Sequence, residues 1–79
     1  MNDPGDLDWL PYDSRGTTSR VREFVTRGSV EWELCCEGGS YVIKRTVTRG
    51  ERTTVTEAAR GRYRRTMDAW KLVVSGDAG

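Results

Sequence analysis

The run from Arg60 to Arg65 holds four arginines in six residues. Guanidinium groups bind carboxylates and phosphates through paired N–H donors. The run lies at the start of a predicted helix, where the macrodipole disfavours cations. An anionic partner would offset that cost, so the pattern predicts an anion-binding surface. The alternative is a solvated basic face, because charge on its own indicates solubility and non-specific attraction.

Four further cations surround a predicted turn at Arg49-Gly50-Glu51 and extend this surface. The anion could be nucleic-acid phosphate, an acidic protein surface or the acidic N-terminal part of this chain. The predicted binding residues are Arg60, Arg62, Arg64, Arg65, Arg45, Lys44, Arg49 and Arg52.

Catalytic chemistry has little support in the sequence. The chain has no histidine, which removes the commonest general base and metal ligand. It has no glycine-rich phosphate loop, and Gly38-Gly39 lies between two strand-like runs. Glu31, Glu33 and Glu37 share one strand face, which in so small a domain favours a solvated surface over a catalytic carboxylate pair. We therefore expect no enzymatic activity and no cofactor.

The two cysteines, Cys35 and Cys36, are adjacent. Successive residues of a strand point to opposite faces, so both thiolates cannot bind one ion without breaking the strand. A zinc site would also remain half filled. We expect no metal site, with Cys36 in the core and Cys35 facing outward.

The charge is unevenly distributed along the chain. Residues 1–13 carry four aspartates and no cation, for a charge of −4, whereas residues 14–79 carry all 13 cations and eight acids, for +5. Residues 1–18 also hold two prolines and two glycines without apolar periodicity, which is typical of disorder. The sequence therefore predicts a disordered acidic N-terminal tail over 1–18 and one domain over 19–79.

Aromatic residues interrupt this acidic tail, where Trp9, Leu10 and Tyr12 form a candidate docking motif. Such a motif could bind another protein, or it could fold back on the basic domain of the same chain. The third interpretation is an ordinary tail that contains a tryptophan.

The segment from Val30 to Thr48 predicts a β-hairpin. Its two halves alternate apolar and polar residues around Gly38-Gly39, and glycine reaches the positive φ that tight hairpin turns need. A two-residue turn fixes the register, because a slip by one residue would exchange the two faces. The predicted pairs are Glu37–Ser40, Cys36–Tyr41, Leu34–Ile43, Glu33–Lys44, Trp32–Arg45 and Val30–Val47.

Two registers are open for the preceding strand, residues 20–26. A two-residue loop at Arg27-Gly28 sets Arg22 beside Glu33 and turns Phe24 outward. A three-residue loop sets Phe24 beside Trp32. Residues 52–58 are rich in threonine and suit a fourth strand.

The C-terminal segment has helical periodicity. Tyr63, Met67, Trp70 and Val74 recur on one stripe, and Gly76 suits a helix C-terminus, so we expect a helix over about 62–75. Its apolar stripe should cover the apolar sheet face. The predicted fold is α+β: a small antiparallel β-meander of three or four strands with one C-terminal α-helix packed on one face. Arg45 is expected to stack on Trp32.

These observations predict a small non-enzymatic regulatory or adaptor module that acts by protein–protein interaction. The alternative is transcription-associated nucleic-acid binding through the arginines at the helix start. An open sheet edge at 20–26 or 52–58 could pair with a second copy. No run approaches the about 20 apolar residues of a membrane helix, so we expect no membrane partner and a cytoplasmic location.

Overall fold

The computed structural model describes residues 7–14, 16 and 18–79. Five antiparallel strands form one sheet in the order β1-β5-β4-β3-β2, and one helix follows them. This confirms the α+β class with an antiparallel sheet and a C-terminal helix. The fifth strand exceeds the predicted three or four. The elements are β1 Leu10–Pro11, β2 Ser19–Arg27, β3 Val30–Glu37, β4 Ser40–Arg49, β5 Arg52–Gly61 and α1 Tyr63–Ser75.

The added strand is β1, which lies in the segment predicted to be disordered. Leu10 pairs with Glu57 and Pro11 with Thr56, so the prediction of disorder is wrong for these residues. Two residues have no periodicity of their own, and their partner strand lies far along the chain. Residues 1–6, 15 and 17, also within the predicted tail, lie outside the described residues.

The central hairpin has the predicted register. Glu37 pairs with Ser40 around Gly38-Gly39, whose φ angles are 55° and 84°. Trp32 lies opposite Arg45, and all the other predicted pairs form. Both glycines occupy the left-handed region that a two-residue hairpin turn requires, so turn chemistry and face alternation together set this register.

The first hairpin has neither of the two predicted registers. Its turn is Gly28-Ser29, with Arg27 opposite Val30, because Gly28 (φ 60°) takes the first turn position. Val25 therefore lies beside Trp32. Phe24 lies opposite Glu33 and is 65% exposed. Arg22 therefore does not lie beside Glu33, although the predicted pair Glu33–Lys44 forms.

Two β-bulges adjust the sheet. One adds Arg22 to β2 between Val21 and Glu23. The other lies in β5 and contains Ala59, whose φ is 55°. Glu57 and Arg60 are three positions apart, so a regular strand would point them to opposite faces. The extra residue brings both side chains to the same face.

The helix covers one face of the sheet, here called the front face; the opposite face is the back face. Trp32, Leu34 and Ile43 meet Trp70 and Val73 in the core. Val30 and Tyr41 are partly buried against it, whereas Val47, which lies on the same sheet face, is not in this cluster.

The buried side of α1 is rotated from the predicted stripe. Trp70 is buried as predicted, but Tyr63 and Val74 are 57% and 48% exposed. The buried helix residues are Thr66, Ala69, Trp70 and Val73. Thr66 can lie in the core because its hydroxyl donates to the Ala59 carbonyl oxygen at 2.6 Å. Gly76 ends the helix with φ 87°, as predicted.

The cysteines are arranged opposite to the prediction. Cys35 on the back face is fully buried, with cross-strand neighbours Val21 and Val42, whereas Cys36 on the front face is half-buried. The alternation of the strand correctly assigned the two thiols to opposite faces. It did not predict which thiol is buried, because burial depends on residues from other parts of the chain that cover each face. Burial also raises the pKa of the Cys35 thiol.

No helix in the described part of the chain is long and apolar enough to cross a membrane.

Candidate functional site

The structure divides the predicted basic surface into three groups. Arg60, Lys44 and Arg45 contact the N-terminal segment, defined here as residues 7–14. Arg49 and Arg52 lie at the opposite end of the β4–β5 hairpin. The third group lies at the helix start and consists of Arg62, Arg64 and Arg65, all exposed.

Arg60 is a partly buried structural cation on the back face. Its Nε lies 2.6 Å from a carboxylate oxygen of Glu57, and its Nη2 lies 3.1 Å from Glu37. The side chain of Arg60 is 14% exposed and those of Glu37 and Glu57 are 0% and 7% exposed. Hydrogen bonding to Glu57, together with the charge of Glu37, raises the pKa of Arg60 although burial opposes it. Arg60 therefore cannot serve as a free anion-binding group, which corrects the prediction.

Tyr12 anchors the N-terminal segment to this cluster of Arg60, Glu37 and Glu57. Its hydroxyl donates to Glu37, and the Lys44 ammonium lies 4.7 Å from the centre of its ring. Arg60 donates to the Asp13 carbonyl oxygen at 3.1 Å. Burial and the hydrogen bond to Glu37 raise the pKa of Tyr12 to about 12. This raised pKa stabilises the fold fully below pH 10, and the contribution is lost as the pH rises through 12.

Replacing Tyr12 with phenylalanine tests this anchor. The change removes a hydrogen bond to a buried carboxylate and should lower the free energy of unfolding by about 1.5–2 kcal/mol. Chemical denaturation followed by circular dichroism measures it. Tyr63→Phe is the matched control, because Tyr63 is 57% exposed, and it should change stability by less than about 0.5 kcal/mol. Equal effects of the two changes would contradict the anchoring role.

Trp9 lies on the front face, where it covers Arg45. The Arg45 guanidinium lies 4.3 Å from the Trp9 ring and also donates to the Gly79 carbonyl oxygen. The expected stacking of Arg45 on Trp32 is wrong, because Arg27 takes that place at 5.4 Å. Within the predicted docking motif, Trp9 and Tyr12 thus contact their own domain, whereas Leu10 is 60% exposed.

A concavity on the front face is the strongest candidate for binding. It has a volume of about 340 Å³ on the β4–β5 hairpin, and its lining comprises three arginines, a valine, two threonines and, among the described residues, no carboxylate. Arg49 and Arg52 are direct cross-strand partners, and like charges in that position are destabilising. A bound anion would offset this repulsion. The lining residues are Arg45, Val47, Arg49, Arg52, Thr54 and Thr56.

The two sheet faces differ in charge. Strand register places four carboxylates on the back face, where they share it with Lys44 and Arg60. Glu23 is the one strand carboxylate on the front face among the described residues. Six strand arginines share that front face. The back-face carboxylates are Glu31, Glu33, Glu37 and Glu57, and the front-face arginines are Arg20, Arg22, Arg27, Arg45, Arg49 and Arg52.

The arginines at the helix start do not join this concavity. Tyr63 begins the helix, and its ring centre lies 5.2 Å from that of Tyr41. Tyr41 is near the first residue of β4, whereas Arg49 is its last residue, so the helix start and the concavity lie at opposite ends of this strand. Arg62 occupies the N-cap position without a capping side-chain hydrogen bond, and the first turn holds no acidic residue. The helix-start arginines therefore form a basic region separate from the concavity.

Sequence reasoning missed three charged residues with structural roles: Arg27, Glu37 and Glu57. Arg27 donates to the carbonyl oxygens of Val73 and Val74, at 2.9 and 2.7 Å. It thus supplies hydrogen-bond donors to carbonyl oxygens at the C-terminal end of α1, which have no partner within the helix. Glu37 binds Arg60 from β3, and Glu57 binds it from within β5. The position of Arg27 beside a turn glycine carried no signal of this role, because its helical partner is 46 residues away.

Within the described part of the chain, no group of three or more histidine, cysteine or acidic side chains is arranged to hold a metal ion. The sequence matches no protein-family model, and it has no significant match among curated proteins or solved structures. The geometry and charge of the molecule itself are thus the basis for a functional proposal.

Proposed function

We propose that this chain is a small regulatory or adaptor module that binds an acidic segment of another protein in the front-face concavity. The observation that carries the proposal is that Arg45, Arg49 and Arg52 line one concave surface, whose lining holds no carboxylate within the described part of the chain. Paired N–H donors suit carboxylates, and each guanidinium keeps its charge at physiological pH.

The lining also favours an extended peptide over a small anion. Thr54 and Thr56 provide hydroxyl groups, and Val47 provides an apolar surface among the arginines. The N-terminal segment shows how such a ligand can lie: it is extended, acidic and aromatic, and it pairs with β5 through Leu10 and Pro11. By analogy, we expect a partner segment in which aspartate or glutamate lies near an aromatic residue.

Charge favours a short acidic protein segment over a nucleic acid. The net charge of the chain is +1, which is a weak attraction for a polyanion. The back face is also acidic, so a long polyanion that wraps around the domain would meet repulsion. Nucleic-acid binding through Arg62, Arg64 and Arg65 is the competing proposal, and the experiment below distinguishes the two.

Replacing Arg49 with glutamate is expected to weaken binding of an acidic peptide at least about tenfold, or about 1.4 kcal/mol. The same change should not destabilise the fold, because it turns the Arg49–Arg52 repulsion into an attraction worth a few tenths of a kcal/mol. Titration of backbone amide shifts with a ten-residue peptide rich in aspartate and glutamate measures the affinity and locates the site.

Arg64→Glu is the matched control, because Arg64 is an exposed arginine outside the concavity. It should leave peptide affinity unchanged. Shift changes confined to Arg62, Arg64 and Arg65, or tighter binding of a DNA or RNA oligonucleotide that Arg64→Glu abolishes, would reject the concavity and favour the competing proposal.

A further inference from the structure

The outer edge of β2 is the longest open strand edge of the sheet. β2 is the terminal strand, and no other strand pairs with its outer side within residues 7–14, 16 and 18–79. Its nine residues leave Phe24 and Val21 65% and 49% exposed, and both lie on the back face. An open edge of this length is a template for another strand.

Hydrogen-bond alternation determines which residues of β2 face outward. The two-residue turn makes Arg27–Val30 a hydrogen-bonded pair, so the backbone groups of Val25 and Glu23 also point toward β3. The bulge at Arg22 shifts this alternation by one residue. The backbone groups that point outward therefore belong to Ser19, Val21, Phe24 and Thr26.

These outward groups are self-complementary. When a second copy approaches antiparallel, with the two-fold axis between Arg22 and Glu23, Val21 of each copy meets Phe24 of the other. Ser19 then meets Thr26, so all four outward residues have partners. A bulge usually protects an edge by breaking its regular spacing, but here the same irregularity occurs in both strands at the two-fold axis and matches.

The side chains complement one another in the same register. Val21 and Phe24 lie on the back face and form two apolar contacts related by the two-fold axis. Arg22 and Glu23 share the front face, because residues on either side of the bulge position point the same way. Each Arg22 therefore lies opposite Glu23 of the other copy, an opposite-charge pair.

We infer that the chain forms a symmetric homodimer in which two β2 strands pair antiparallel around Arg22 and Glu23. The result is a continuous ten-stranded sheet. The two-fold axis is perpendicular to this sheet, so both helices and both front-face concavities lie on the same side. The pairing goes beyond the proposed acidic-peptide binding and does not depend on it.

Sedimentation equilibrium of the full chain tests this dimer. We expect wild-type protein to associate, and Phe24→Asp to raise the dimer dissociation constant at least about tenfold, because it sets a carboxylate against Val21. Leu10→Asp is the matched control: Leu10 is 60% exposed on the same face but lies outside β2, so association should not change. A monomer at millimolar concentration, or equal effects of both changes, would overturn the inference.

A charge exchange tests the register independently of apolar burial. Arg22→Glu alone places two carboxylates opposite each other at each of the two symmetric positions and should weaken the dimer at least about tenfold. Adding Glu23→Arg restores opposite charges and should recover wild-type affinity. A double variant that folds by circular dichroism but stays as weak as the single variant would exclude this register. Arg49→Glu should leave the dimer intact, which separates it from peptide binding.

Discussion

Arg60→Met is expected to lower the free energy of unfolding by about 3 kcal/mol. The change leaves Glu37 and Glu57 as two carboxylates without their shared cation, with side chains 0% and 7% exposed. Breaking a buried ion pair by removing one partner costs about 3–5 kcal/mol, and we take the lower end because Arg60 keeps some solvent contact. A domain of this size has only about 3–5 kcal/mol of stability, so much of the variant should be unfolded.

The pH dependence separates this electrostatic explanation from simple loss of packing. Burial alone would raise the pKa of Glu37, but hydrogen bonding from Tyr12 and the charge of Arg60 outweigh burial and lower it. In the wild type, Glu37 therefore stabilises the fold above the pKa of the unfolded chain, and this contribution is lost as the pH falls through the folded pKa.

Arg60→Met weakens this dependence. Without the cation, burial of the Glu37 carboxylate is opposed less strongly, so its pKa is higher than in the wild type and protonation at low pH costs the variant less stability. The stability gap between wild type and variant should therefore narrow between pH 7 and about pH 4. Urea denaturation at several pH values measures it. Arg64→Met, at an exposed position, should change stability by less than about 0.5 kcal/mol throughout. A gap that is constant with pH would assign the loss to packing.

The sequence predicted the elements whose determinants are local. The register of the β3–β4 hairpin follows from its alternation and from Gly38-Gly39. The helix bounds follow from the 3.6-residue period and from Gly76. The strand β1 could not be predicted, because Leu10 and Pro11 become a strand only against Glu57 and Thr56, far along the chain.

The candidate site could likewise be predicted only where its determinants are local. Arg49 and Arg52 follow from the turn at Gly50, which pairs them across the hairpin. Arg60 was wrongly assigned to the anion-binding surface. The direction of its side chain depends on the bulge at Ala59 and on the carboxylate of Glu37 in β3, neither of which the local sequence indicates. Thr66 was omitted from the predicted core for a related reason, since its polarity is satisfied by the carbonyl oxygen of that same bulge residue.

Trp70→Ala is expected to cost about 3–5 kcal/mol, enough to unfold most of the protein. Trp70 is the largest fully buried side chain and joins α1 to Trp32, Leu34 and Ile43. The helix covers the front face, so a cavity at this position removes contacts from both layers. Urea denaturation followed by far-ultraviolet circular dichroism measures the loss without relying on tryptophan fluorescence.

Trp70→Phe should cost much less, below about 2 kcal/mol, for a reason beyond size. The indole Nε1 of Trp70 is buried and has no hydrogen-bond partner among the described residues. A buried donor without a partner costs about 1–3 kcal/mol, and phenylalanine removes that donor while filling most of the space. The Trp32 indole, also buried without a partner, provides the parallel change Trp32→Phe. If Trp70→Phe cost as much as Trp70→Ala, the indole N–H would have to be hydrogen-bonded in solution, and the front-face core would contain a polar contact.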